Sequence, residues 1–588
     1  MIKRLSVYLA FALISNPVFS VENLSTVAEQ TGYQKTGRYE EVETLCRNFQ
    51  KNYPKIVRCQ EFGRTAEGRP MMALIATRTN IFVPYLAKDK QVPVTLIQGG
   101  IHAGEIDGKD AGFLALKEIL NNTAAKNALD KQVFIFVPVF NVDGHERFAK
   151  WNRPNQRGPE EMGWRTTAQN FNLNRDYLKA DTPEMQAMLR LINQWDPLVT
   201  VDLHVTDGAK FEHDISIQIQ PSQAGDAVLQ QAGKQFQQHI ISDLAVQGSM
   251  PLPFYMAFDK EDDPMSGFVD RVPSPRLLHG YFQLRNRFGI LVETHSWKNY
   301  ATRVRITRNT IILVLDQITQ HGAEWRKQAL EADMRSVNLA GQIIPLTYKT
   351  TDKYQMIDFH GYAYTRKPSE ISGALVTRYD ETTPQIWKVK LRDEIVPDQT
   401  LKLPQGGYLV PAAYARFVIE KLRVHGVQFE SITMPLSDIE VERFNTNSAV
   451  ISPTSDESHQ MLKLRGDWIN SHYSFGKGAL FIPIAQPKAA MIAAMFEPAS
   501  PDSLVSWGFF NNNFEKKEYL EAYVAEDVAL EQLSADPALK QAFEKKLKEN
   551  KAFASNPEAR LEFFARRHSS WDQEYQQYPV YRTNIGPK

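Results

Sequence analysis

Apolar positions in this chain fall into two textures, and the change between them comes near residue 340. Before it, solidly apolar runs alternate with stretches of helical period. Tyr39, Val42, Leu45, Cys46, Phe49 and Tyr53 recur at helical spacing, and Pro54 stops that helix. Strands are predicted over residues 56–62 and 71–77, with the polar turn Glu67-Gly68-Arg69 between them. Residues 92–98 and 133–140 are apolar on both faces, as buried strands of a parallel sheet are. Further strands are expected over 198–204 and 289–293, and helices around Phe113 to Leu120, over 184–195, and from 303 to about 320. Strands alternating with helices predict an α/β sheet with helices on both faces, which places its sites beyond the carboxyl ends of the strands. After residue 340 the strand-like segments are short (371–379, 408–410, 449–452) and separated by Pro, Gly, Asn and Asp, with one amphipathic stretch at 412–424. Beyond Phe514 the chain is charged and helical in pattern, and Asp536-Pro537 and Asn556-Pro557 suit helix starts.

The expected organisation is therefore an α/β domain over 21–335, a β-rich accessory domain over 340–510 and a helical C-terminal region over 511–588. Residues 1–20 read as a secretory signal peptide. Lys3 and Arg4 precede an apolar run over 5–14, and Val18 and Ser20 occupy the small positions of a cleavage site. The protein is thus expected to be exported, periplasmic or secreted, with no membrane span in the mature chain. Lys+Arg and Asp+Glu both number 68, and no basic run is present, so neither a nucleic acid nor an anionic membrane surface is indicated as a partner. The two cysteines, Cys46 and Cys59, suit either a disulfide in an oxidising compartment or a pair of buried thiols.

Three predicted strands end in chemistry. Residues 92–98 lead through Gly99-Gly100 to His102 and Glu105, residues 198–204 end at His204, and residues 289–293 end at Glu293. Each has a bland reading. His-x-x-Glu alone is weak, since His321 and Glu324 repeat it within a predicted helix. His204 could be a satisfied core histidine, and Glu293 could pair with a nearby arginine. Taken together, two histidines and a carboxylate suit a zinc ion with one coordination position open, and Glu293 is a second carboxylate free to act on water. His295, two residues beyond Glu293, is expected behind the ligands rather than among them. Arg165, Asn174 and Arg175 add polar donors suited to a carboxylate or an oxyanion.

With these residues in place, the chain resembles the zinc carboxypeptidases of the M14, carboxypeptidase A-like type. The resemblance runs over roughly residues 30–325 and follows the family's order: Glu67-Gly68-Arg69, His102-Ala103-Gly104-Glu105, Asn141-Val142-Asp143-Gly144, Asn174-Arg175, His204 and Glu293. It implies a carboxypeptidase A-like mixed sheet and a zinc ion, one per chain, on His102, Glu105 and His204. It also implies that Glu293 is the general base, that Arg165 polarises the scissile carbonyl, and that Asn174 and Arg175 bind the terminal carboxylate of a peptide substrate. Arg165 stands closer to Asn174 than in the digestive members. Tyr281 is too near Glu293 to match their mobile tyrosine, and the base of the side-chain pocket is expected near residues 274–278. The activity implied is removal of a peptide's last residue. A murein-peptide amidase or an N-acyl amino acid deacylase on the same scaffold is the alternative. A non-catalytic binding protein would lack a ligand or the base, and none is missing.

Overall fold

The solidly apolar runs become the middle of an eight-stranded sheet in the computed structural model, which describes residues 22–586. The expected signal peptide lies outside the described residues. In chain order the strands are β1 (Val57–Arg64), β2 (Pro70–Ala76), β3 (Val94–Gly99), β4 (Val133–Val137), β5 (Val199–Thr206), β6 (Ile215–Gln220), β7 (Pro251–Leu252), β8 (Phe268–Val269) and β9 (Phe288–His295). All but β8 join this sheet, in the order β1-β2-β4-β3-β5-β9-β6-β7. Its centre, β4-β3-β5-β9, is parallel, while β1, β2 and β6 add antiparallel pairings. Every residue of β3, β4, β5 and β9 is buried, as a sheet covered by helices requires. Helices Asp107–Leu120 and Ala227–Val246 both pack on Tyr300–Val337, and Tyr39–Asn52 and Pro183–Trp195 pack on β1. A disulfide between Cys46 and Cys59 joins the Tyr39–Asn52 helix to β1, with an S–S distance of 2.08 Å.

Several elements differ from the sequence-based expectation. β5 and β9 run past His204 and Glu293, because their parallel pairing continues through Val205↔Thr294 and Thr206↔His295. The helix expected to end near residue 320 continues to Val337, since Trp325 packs on Phe236 and Phe288 and extends its buried stripe. β6 and the helix Ala227–Val246 had no predicted counterpart.

Beyond that helix lie a two-stranded pairing of Ile343–Thr350 with Ile395–Lys402 and a long hairpin, Gln355–Pro368 with Leu375–Arg392. The hairpin's second strand pairs with β8 through Leu391↔Phe268 and Arg392↔Val269, so part of the accessory sheet is drawn from the first half of the chain. A six-stranded sheet follows, and the region expected to be a helical tail returns to it. Helices occupy 522–565, but Tyr581–Thr583 is a buried strand between Gly407–Val410 and Leu436–Ile451. Arg582 explains its place there, since its guanidinium meets Glu497 at 2.6 Å. The helix Ala412–His425 packs on Pro183–Trp195, and one apolar core runs from the central sheet through Val418, Leu422, Ile482 and Met491.

Candidate metal centre

The local sequence delivers three strand ends to one place. β3 leads into Gly100, whose φ of 62° suits glycine. A Cβ on Gly99 would meet Pro138 O at 2.9 Å, so only glycine fits that approach. The chain then closes a turn with Glu105 N donating to His102 O at 2.9 Å, which turns both side chains toward one point before the helix Asp107–Leu120 begins. On the neighbouring strands His204 pairs in register with Glu293, and paired residues share a face of the sheet. His102, Glu105, His204 and Glu293 are all buried and line a single cleft.

Both histidines turn Nδ1 inward. His102 Nδ1 lies 3.0 Å from Glu105 Oε1, and His204 Nδ1 lies 2.9 Å from Glu105 Oε2. The outer nitrogens are held from behind. His102 Nε2 meets Asn172 Oδ1 at 3.0 Å. His204 Nε2 is 2.9 Å from Asp202 Oδ2, an ion-pair distance whose angle is too oblique for a hydrogen bond, so both atoms lack a hydrogen-bond partner. An Nε2–H on His102, with Asn172 Oδ1 as its acceptor, leaves that ring's Nδ1 lone pair facing inward, as in metal-ligating histidines. The three ligand atoms lie within 4.8 Å of one another, so the donor set and its spacing fit a zinc ion. Arg153 Nη1 and Arg165 Nη1 also donate to Glu105 Oε1, at 2.6 and 3.1 Å.

Charge and burial oppose each other here. Burial pushes His102 down to about 4. Burial alone would raise Glu105, but the charges of Arg153 and His102 outweigh it and hold the carboxyl well below its ordinary range. Burial also pushes Glu293 up to about 8, the charge of His204 opposing and that of Glu105 adding. Glu293 Oε2 is buried without a hydrogen-bond partner, and no arginine pairs with it among the described residues. A buried carboxylate left this way is costly unless something else in the cleft uses it.

The stretch 42–242 matches the sequence profile of the zinc carboxypeptidase family. Over that stretch the chain is similar to zinc carboxypeptidases. His102, Glu105 and His204 fall inside the matched stretch, and Glu293 lies beyond it. Carboxypeptidase B of Helicoverpa zea is 26% identical over 140 residues, covering 23% of this chain and 31% of the relative. An inactive metallocarboxypeptidase of Saccharomyces cerevisiae is 32% identical over 125 residues, covering 20% and 28%. The chain thus spans about a third of the length of these curated relatives. Among solved structures, carboxypeptidase A of Helicoverpa armigera superimposes with a TM-score of 0.34 at 17% identity, over 51% of this chain and 74% of the other. A metallo-carboxypeptidase of Burkholderia cenocepacia gives 0.35 at 17%, over 48% and 69%.

The cleft has a volume of about 390 Å³, and Arg165, Asn174 and Arg175 are among the residues that line it. Arg175 is half-buried and donates to Asn174 O at 2.8 Å. The Glu67-Gly68-Arg69 turn does not reach the cleft lining. Arg69 meets Asp143 at 2.6 Å, and Thr65 Oγ1 and Glu67 N also donate to that carboxylate, so the two sequence motifs are one structural tie. His295 is no ligand; it stacks on Phe211 with ring centroids 4.1 Å apart. Tyr281 is buried, its hydroxyl 2.9 Å from His425 Nδ1.

Four residues that sequence reasoning left without a role contribute to the site. Arg153 bridges Glu105 and Val205 O, and Asn172 holds His102. Tyr255 reaches the cleft, and its phenol is raised first by the nearby Glu293 charge. Asp270 is buried in the wall, accepting from Gln218 Nε2 at 3.3 Å, from Gln223 Nε2 and from Arg271 N at 3.0 Å. No ion pair to Asp270 forms among the described residues, and burial pushes it up to about 6. From the stretch 274–278, where the base of a side-chain pocket was expected, Leu277 lines the cleft, and the buried acid Asp270 lines it from next to β8.

Proposed function

We propose that this protein is an exported zinc metallocarboxypeptidase, holding one zinc per chain on His102, Glu105 and His204 and releasing the last residue of peptides. The observation that carries this reading is the unpartnered Oε2 of Glu293 in the same cleft as the three converging ligand atoms. A bound zinc ion supplies Lewis acidity toward water and the scissile carbonyl. Arg175 and Asn174 capture the substrate's terminal carboxylate, which sets the scissile bond at a fixed distance from the ligands. Arg165 turns its guanidinium to the carbonyl oxygen and holds the charge that develops there. Glu293 accepts the proton of the attacking water and returns it to the leaving amine, a role suited to a carboxylate that burial has made more basic. Arg153 stays on Glu105 and keeps that carboxylate aimed at the ligand point.

The wall around Asp270 favours a cationic side chain on the departing residue. A buried carboxylate with amide donors but no counter-cation gains most from a partner that brings one. The test is a panel of N-blocked peptides that differ only in the C-terminal residue, run with a zinc assay on the same protein. Zinc near one per chain, chelator-sensitive release of the last residue, and preference for lysine or arginine support the reading. Bound zinc with no release from any peptide sinks it.

A further inference from the structure

The carboxypeptidase cleft receives a contribution from far outside the matched stretch. Asn172 is the hinge of the substrate-side segment. Its side-chain oxygen meets His102 Nε2 at 3.0 Å and accepts from Asn174 N at 3.0 Å, and its carbonyl accepts from Arg175 N at 2.9 Å. One residue therefore orients a metal-ligating ring and the two donors proposed to hold the substrate's carboxylate. Its own backbone N–H donates to Glu457 Oε2 at 2.8 Å, across 285 residues of chain.

The tip that carries Glu457 is shaped to present it. Asp456 and His459 exchange backbone hydrogen bonds at 2.8 and 2.9 Å, closing a two-residue turn over Glu457 and Ser458. Both central residues are left-handed, with φ of 48° and 63°, in a turn type that prefers Asn-Gly. Such backbone persists only where its surroundings fix it. Here His459 Nε2 meets Asp181 Oδ2 at 2.7 Å, Lys421 Nζ holds the other oxygen of Asp181 at 2.7 Å, and Arg276 Nη1 lies 3.6 Å from Asp456. The turn is thus pinned beside Asn172 by both halves of the chain. Burial and the charges of Arg165 and Arg276 lower the Arg175 guanidinium, and the carboxylates of Glu457 and Asp456 oppose them.

We propose that Glu457 is a positioning residue for the metal and substrate-carboxylate sites, acting through the backbone of Asn172. The proposal rests on the carboxypeptidase reading for its substrate half and on the ligand geometry alone for its metal half. With the acceptor gone, the Asn172 N–H has no partner, the Asn172 side chain turns, and His102, Asn174 and Arg175 lose their common support.

Two variants of the full chain test this, Glu457→Ala and Glu457→Gln, each measured for zinc affinity by chelator competition and for KM and kcat on a cleaved peptide. Glu457→Ala is expected to weaken zinc binding and to raise KM, each by roughly tenfold, with a smaller change in kcat. Glu457→Gln keeps an oxygen acceptor and is expected to stay within about threefold of the unaltered protein on both readouts. A Glu457→Ala protein with unchanged zinc affinity and KM overturns the proposal, as does a Glu457→Gln protein damaged as much as the alanine variant. If the unaltered protein cleaves no peptide, the functional reading fails. The zinc competition still decides the role of Glu457.

Discussion

Asp270 and Glu293 are both carboxylates that burial makes more basic, but they answer to different partners. Glu293 shares the cleft with His102 and His204, and its replacement by glutamine removes the proposed proton acceptor while keeping size and polarity. The expected outcome is a fall in kcat of about 10²- to 10⁴-fold with zinc content unchanged, checked by metal analysis beside steady-state kinetics. Asp270 faces the side-chain end of the cleft and sits near 6 rather than in the ordinary carboxylate range. It is therefore charged above that pH and neutral below it. On the proposed reading, attraction for a C-terminal lysine is expected above about 6 and is expected to be lost as pH falls through that value. The lysine-to-leucine ratio of kcat/KM is expected to drop about tenfold between about pH 8 and pH 5, and Asp270→Asn is expected to flatten that profile. At this scale the converging His102, Glu105 and His204 were legible in the sequence because each lies near or just beyond the end of an apolar run. Arg153, Tyr255 and Asp270 were not, because they lie in segments without periodicity, and their positions depend on partners remote in the chain.

At the scale of elements, the long helix Tyr300–Val337 is tied to the site through one buried arginine. Arg303 donates to Asp107 at 2.9 and 3.3 Å and to the carbonyls of Arg157, Gly158, Ser296 and Lys298. Asp107 also accepts from Thr294 Oγ1 at 2.8 Å. The pair thus locks the loop after Glu105 against the strand that carries Glu293. Arg303→Met leaves Asp107 buried without its cation, and the expected loss of stability is about 3–5 kcal/mol, read from the shift of the urea unfolding transition. The helix itself was visible from its apolar spacing. Its arginine resembled any other surface charge, because spacing does not reveal that four carbonyls converge on it.

For the whole molecule, the boundary near residue 340 divides textures of sequence more sharply than it divides cores. Helix Ala412–His425 covers Pro183–Trp195, with Lys421 Nζ on Lys179 O at 2.6 Å and His425 Nε2 at 2.8 Å from Leu178 O. Cutting there uncovers a buried apolar face and strips Asp181 of two partners, Lys421 and His459. Residues 22–340 made alone are therefore expected to associate or to remain incompletely folded, as seen by size-exclusion chromatography and near-UV circular dichroism. A monodisperse fragment with native-like spectra contradicts this. The texture change was legible because turn residues become frequent after 340. The shared core was not, because contact between two amphipathic helices leaves each with an ordinary stripe.

The strand Tyr581–Thr583 carries a consequence for the order in which the molecule is assembled. It lies inside the six-stranded sheet, with Gly407–Val410 on one side and Leu436–Ile451 on the other. A chain emerging from the ribosome has both flanking strands long before it has the one between them. Until residue 583 is available, this half of the protein holds a slot with two open edges, so its closure comes late in the order of assembly. Nascent chains halted just before Tyr581 would display that slot, and a short peptide spanning the strand, supplied in trans, would be its natural plug.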